Sequence, residues 1–142
     1  MNTKTIAGIL ILALIGTCYG TATIERDCSS LIMHRGYNYS ISLDITKTND
    51  TVVVGIEESI PDGFNVTNIS NNGMVRYGKI EWLLWTYFSP IPSKVTYSLV
   101  VPETSRPGVI ELEGNQVIGM EDKWPWRALT RETTGDRFIY VL

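Results

Sequence analysis

From Tyr39 onward, apolar and polar residues alternate in short runs separated by Gly, Pro, Asn and Asp. Successive side chains of a strand point to opposite faces, so alternation of this kind predicts half-buried strands. Tyr39-Ser40-Ile41-Ser42-Leu43-Asp44-Ile45 places Ile41, Leu43 and Ile45 on the inner face. Thr48-Asn49-Asp50 turns the chain, Thr51 to Ser59 returns as a β-branched strand, and Pro61-Asp62-Gly63 ends it. Phe64, Val66 and Ile69 form the next apolar set, the last displaced by one position as at a bulge. After the turn signal Asn71-Asn72-Gly73, Val95, Tyr97, Leu99 and Val101 alternate with Thr96, Ser98 and Val100 up to Pro102. Arg106-Pro107-Gly108 introduces a short strand, Val109 to Gly114, and Arg137 to Leu142 reads as a final one. Between them, Asn115 to Thr134 shows no regular alternation and carries Trp124-Pro125-Trp126.

One stretch departs from the pattern. Ile80-Glu81-Trp82-Leu83-Leu84-Trp85-Thr86-Tyr87-Phe88 read as a strand is apolar on both faces, with Ile80, Trp82, Leu84 and Phe88 on one and Leu83, Trp85 and Tyr87 on the other. The first set suits a core. The second requires a cover: the chain's own Trp124-Pro125-Trp126, a protein partner, or a polysaccharide stacked on flat rings.

Seven or eight short strands and no sustained 3.6-residue period predict an all-β fold, an antiparallel two-sheet sandwich, in preference to a closed barrel. Strand directions do not follow from the pattern.

The amino terminus is of another kind. Lys4 precedes an uncharged run from Thr5 to Ile15, then small residues around Gly20-Thr21-Ala22. These are the three regions of a secretory signal peptide, so residues 1–22 are expected to be a leader and 23–142 one domain. A retained anchor helix, or acylation at Cys18 in Ile15-Gly16-Thr17-Cys18, are the alternatives. A domain of this length buries roughly two-thirds of its unfolded surface. Export is supported by four Asn-x-Ser/Thr sites, at Asn38, Asn49, Asn65 and Asn68, each a candidate glycan acceptor. With Cys18 removed, Cys28 has no partner for an internal disulfide. It is expected to be buried and inert, or else free for an intermolecular bond.

The segment Glu58-Ser59-Ile60-Pro61-Asp62-Gly63-Phe64-Asn65-Val66, followed by Asn72-Gly73, Ile80-Glu81-Trp82, Val95 to Pro102, Pro107-Gly108 and Thr134-Gly135-Asp136, carries a resemblance. In this order the motifs resemble the immunoglobulin-like domains of secreted archaeal and bacterial surface proteins, related to conserved repeats built on an E-x-[IL]-P-x-G-[FW]-x-V segment. The resemblance spans residues 23–142. It implies an immunoglobulin-like sandwich, with Trp82 at a core position and a setting at the cell surface. Such domains usually occur as one module among several, whereas this chain carries a single copy, and the Met120 to Arg131 region has no counterpart in the pattern.

The candidate chemistry is sparse. The one His, His34, falls in a loop-like Met33-His34-Arg35-Gly36, and a single His with a single remaining Cys makes no familiar zinc set. Glu57 and Glu58 point to opposite faces of one strand, and Glu111 and Glu113 lie on a solvated side, so no facing carboxylate pair emerges. The formal net charge of −3, with Lys and Arg scattered singly, argues against nucleic acid as a partner. The sequence therefore predicts an exported, non-enzymatic surface module with no metal and no cofactor, structural or adhesive in role. Its partners would be other surface proteins or further copies of itself, engaged through Leu83, Trp85, Tyr87, Trp124 and Trp126, or through Thr21 to Cys28 added as a strand to a neighbour's sheet. A carbohydrate-binding module that takes polysaccharide on exposed aromatics is the alternative.

Overall fold

The computed structural model describes residues 22–120 and 129–142. Residues 1–21, most of the expected leader, and the Trp124-Pro125-Trp126 segment lie outside the described residues. Among the described residues the chain forms thirteen strands. Five of them, β1 (Ala22–Cys28), β3 (Asn38–Lys47), β5 (Asn65–Thr67), β8 (Lys94–Val100) and β12 (Thr134–Gly135), form a first sheet in the order β12-β1-β3-β8-β5. A second sheet, in the order β11-β10-β4-β7-β6, holds β4 (Thr51–Ser59), β6 (Met74–Arg76), β7 (Lys79–Trp85), β10 (Gly114–Met120) and β11 (Leu129–Glu132). A smaller third sheet runs β2 (Ile32–Met33), β13 (Phe138–Val141), β9 (Gly108–Glu111). Pairing is antiparallel except for two two-residue contacts, β1 with β12 and β2 with β13.

The all-β sandwich expected from the alternation is the architecture observed. Ile41, Leu43 and Ile45 of β3 and Val95, Tyr97 and Leu99 of β8 face Val54 and Ile56 of β4 and Ile80, Trp82 and Leu84 of β7 across one continuous core. The strands beyond the seven or eight expected include short ones, β2, β6 and β12, of two or three residues. Two expectations need correction. Asn115 to Thr134 is not irregular at its ends, because β10 and β11 pair as an antiparallel hairpin. The alternation is hidden there because a polar residue, Gln116, takes a buried position in β10, where its Nε2 donates to the Ala22 carbonyl at 3.4 Å. Likewise, Ala22 to Cys28 is not a free segment awaiting a neighbour. All seven residues of β1 pair with β3 in this chain's own sheet.

In β1 a charged residue, Arg26, interrupts the apolar inward set. It occupies an inward position between Ile24 and Cys28, and its guanidinium is fully buried. Nε and Nη2 donate to the two carboxylate oxygens of Glu58 on β4, each at 2.8 Å, a bidentate pair that ties the first sheet to the second. Nη1 donates to the carbonyls of Leu112 at 3.2 Å and Asp136 at 2.8 Å, which bring in the ends of β9 and β13. The Tyr97 hydroxyl lies 3.4 Å from Glu58. Burial pushes the Glu58 carboxyl above its usual range, opposed by the hydrogen bonds and charge of Arg26. For Arg26, burial disfavours the charge, but the bonds and charge of Glu58 outweigh it and leave its pKa raised. Gly114 packs directly against this carboxylate, so that a methyl group at residue 114 would collide with Glu58 Oε1.

Candidate interaction face on the second sheet

The outer face of the second sheet is built by the residues of β4 and β7 that alternate with the core. Cross-strand register sets them in rows: Trp85 opposite Val53, Leu83 opposite Gly55, Glu81 opposite Glu57. Met74 of β6 pairs with Glu81 and extends the last row towards the sheet edge. Gly55 contributes no side chain beside Leu83, so the sheet surface dips there. The resulting groove has a volume of about 630 Å³ and is lined by Gly55, Met74, Leu83, Trp85, Phe88 and Pro90 among others. Its polar end carries two ion pairs, Lys79 with Glu57 at 3.1 Å and Arg76 with Glu81 at 4.0 Å. Both pairs are solvent-exposed, so they shape the rim more than they stabilise the fold.

Leu83 is 70% exposed and Tyr87 79%, while Trp85 is half-buried. Trp124 and Trp126 lie outside the described residues. Trp82 is buried, as its place in the alternation implied, and its indole N–H donates to the Ser70 carbonyl at 2.8 Å. Gly73 allows this close approach, since a Cβ there would strike the Trp82 ring.

Phe88 does not join the core face with Ile80, Trp82 and Leu84. Strand β7 ends at Trp85, whose carbonyl accepts hydrogen bonds from the Phe88 amide at 3.0 Å and the Ser89 amide at 3.3 Å. That turn breaks the two-residue alternation and leaves Phe88 73% exposed. Trp85, Tyr87 and Phe88 then pack on one another with ring centroids 5.2 to 5.5 Å apart. Phe88 meets the other two edge-on, at 89° and 85°, and Trp85 and Tyr87 are inclined at 39°.

Sequence reasoning missed Met74 and Gly55 as parts of this surface. A signal for β6 existed in Tyr77-Gly78, whose positive φ values of 48° and 75° make a two-residue hairpin turn between β6 and β7. Gly55 carried no signal, because a glycine inside a β-branched run looks like a weak strand position.

The other candidate residues are dispersed. His34 is exposed, with its ring edge-on to Tyr37. Glu111 is engaged by Arg137 at 2.6 Å on the third sheet. Cys28 is a free, buried thiol, pushed up to about 12 by burial and by the neighbouring Asp136 charge. Asn38, Asn49, Asn65 and Asn68 are all exposed. Among the described residues no three metal-ligating side chains converge, and no helix is long and apolar enough to cross a membrane.

Comparison with known proteins bears on the fold. No family model and no curated protein matches the sequence. Solved structures do. The C-terminal 35 kDa fragment of the major pilin of Streptococcus agalactiae superposes with a TM-score of 0.57 at 10% identity, covering 85% of this chain. A non-cellulosomal cohesin from the hyperthermophilic archaeon Archaeoglobus fulgidus gives 0.54 at 12% identity, covering 86% of this chain and 91% of its own. The fold is an immunoglobulin-like β-sandwich. This chain spans 56% of the length of the pilin fragment. At such identities the likeness concerns the fold alone.

Proposed function

We propose that this chain is an exported, non-catalytic surface module with a structural or adhesive role, and that it meets a protein partner or a second copy of itself through the outer face of its second sheet. The observation that carries the proposal is Leu83, 70% exposed in mid-strand beside the dip at Gly55, where a two-layer sandwich ordinarily presents polar residues. Trp85 and Tyr87 extend the face, and Trp124 and Trp126 belong to the same proposed surface. A protein surface suits it better than polysaccharide does. Sugar rings stack on flat, open aromatic faces, whereas Phe88 stands edge-on to both Trp85 and Tyr87, and those two rings are inclined at 39° to each other. Export rests on the leader-like residues 1–22 and on the sequons.

The test pairs two variants with two assays. Leu83→Asp and Tyr87→Ala, both at exposed positions, should leave the protein folded, with the thermal midpoint lowered by no more than about 6 °C, since ring packing of the kind Tyr87 makes is worth about 0.5–1.5 kcal/mol. They should abolish self-association in sedimentation or the capture of co-purified surface proteins. Association unchanged in both variants would remove this face as the contact. Retardation of the wild type by a polysaccharide gel, lost in Trp85→Ala, would favour the carbohydrate-binding alternative instead.

A further inference from the structure

The outer face of the first sheet is the chemical opposite of the groove, and the tertiary structure arranges two of its sequons as a matched pair. Strands β3 and β5 both pair antiparallel with β8, and therefore run in the same direction on either side of it. Asn38 and Asn65 both face Val100, so the three form one row, and the hydroxyl residues of the two sequons, Ser40 and Thr67, both face Ser98 in the next row. Two acceptor sites 27 positions apart in the chain are thus brought side by side, in register, about 10 Å apart across two strand spacings. Asn38, Ser40, Asn65 and Thr67 are all exposed. The side chains that separate them in the two rows, Val100 and Ser98, are short.

Asn68 stands differently. It has a left-handed φ of 52°, its Nδ2 already donates to Ser98 Oγ at 3.2 Å, and Ser70 Oγ of its sequon accepts from the Thr96 amide at 2.7 Å. Both groups of that sequon are used by the fold. Asn49 sits off this face, in the turn between β3 and β4, and the Thr51 of its sequon is buried.

We infer that Asn38 and Asn65 are modified as a pair by N-linked glycans, which make the outer face of the first sheet a carbohydrate-covered face and leave the second sheet's groove bare. In the transfer, Nδ2 bonds to the anomeric carbon of a glycosyl pyrophosphate donor, the bond from that carbon to the phosphate oxygen breaks, and the carboxamide gives one proton to the base of the transferring enzyme. The pyrophosphate is the leaving group. A glycan on Asn65 has a further consequence, since β5 is the edge of its sheet and an edge strand offers unpaired amides to other chains. Covering it directs association away from strand addition and towards the opposite face.

The inference rests on the export part of the proposed function, and the experiment separates the two. The full chain is recovered from fractionated native cells and examined by mass spectrometry, intact and as peptides, for wild type, Asn38→Gln, Asn65→Gln and Asn68→Gln. The expected result is an extracytoplasmic chain lacking its leader, carrying glycan at Asn38 and Asn65. Each of the first two substitutions should then remove one glycan, and Asn68→Gln none. An exported, processed chain with bare Asn38 and Asn65, or one modified at Asn68 instead, overturns the inference and leaves export standing. A cytoplasmic chain that retains its leader and is unmodified overturns both.

Discussion

Replacing Glu58 by Gln tests what holds the two sheets in register. The substitution keeps the shape of the side chain and removes its charge, leaving the Arg26 guanidinium fully buried with no carboxylate. Of the two bonds that Arg26 donates to Glu58 at 2.8 Å, the amide oxygen can accept one, while the amide N–H₂ opposes the other donor. Removing one partner of a buried pair costs about 3–5 kcal/mol. The carbonyls of Leu112 and Asp136, which still accept from Nη1, place this case near the lower end, about 3–4 kcal/mol. With an unfolding entropy of about 2.1 cal/mol/K per residue, 1 kcal/mol corresponds to about 4 °C in a domain of this size, so the melting temperature should fall by about 12–16 °C. Thermal unfolding followed by circular dichroism at neutral pH measures it. The double variant Arg26→Met with Glu58→Leu removes both charges but leaves the two carbonyls without a donor, at about 1–3 kcal/mol for each acceptor that stays dry. It should therefore lose less than the sum of the single variants, with a coupling of about 2–3 kcal/mol. A fall of under 4 °C in Glu58→Gln, or strict additivity in the cycle, would refute the idea that the pair links the sheets as a unit.

Gly114→Ala should destabilise by about 1–3 kcal/mol in urea unfolding, because its methyl group is forced onto Glu58 Oε1 and against Thr133 Oγ1, and the same substitution should cost less in a Glu58→Ala background, where the first of these contacts is absent. Trp82→Phe loses the hydrogen bond to the Ser70 carbonyl and should lower the urea midpoint by an amount worth about 1–3 kcal/mol; an unchanged midpoint would show that bond to be inconsequential. The Cys28 thiol keeps its proton in the folded protein up to about 12, against an ordinary 9.0. Its contribution to stability is therefore fully present below pH 9.0 and is lost as the pH climbs from there towards 12. Cys28→Ala should flatten the decline in stability across that window, and in the wild type alkylation of the thiol at about pH 8 should proceed only as fast as the protein opens.

The alternating runs made the sandwich legible because one face of each strand had to be apolar: Ile41, Leu43 and Ile45, then Val95, Tyr97 and Leu99, are found where their spacing put them. The pattern failed where a polar side chain took an inward position. Arg26 in β1 and Gln116 in β10 are buried because folding supplies them with distant partners, Glu58 and the Ala22 carbonyl, and no local rule announces such partners. Phe88 was misplaced for a related reason, since a two-residue period holds only while the strand continues, and β7 stops at Trp85.

By itself the sequence determined which residues would seek the core, where the turns fall, that Leu83 and Tyr87 would be left on an outer face, and that acceptor asparagines are present. Those properties are local, set by side-chain polarity, by the pleat, and by what Pro, Gly and Asn permit the backbone. Only the tertiary structure decided that Gly55 opens a groove beside Leu83, that Arg26 and Glu58 close on one another through the core, and that Asn38 and Asn65 stand in one row across β8. Each of these depends on strand order and register, which arise from pairing between segments far apart in the chain.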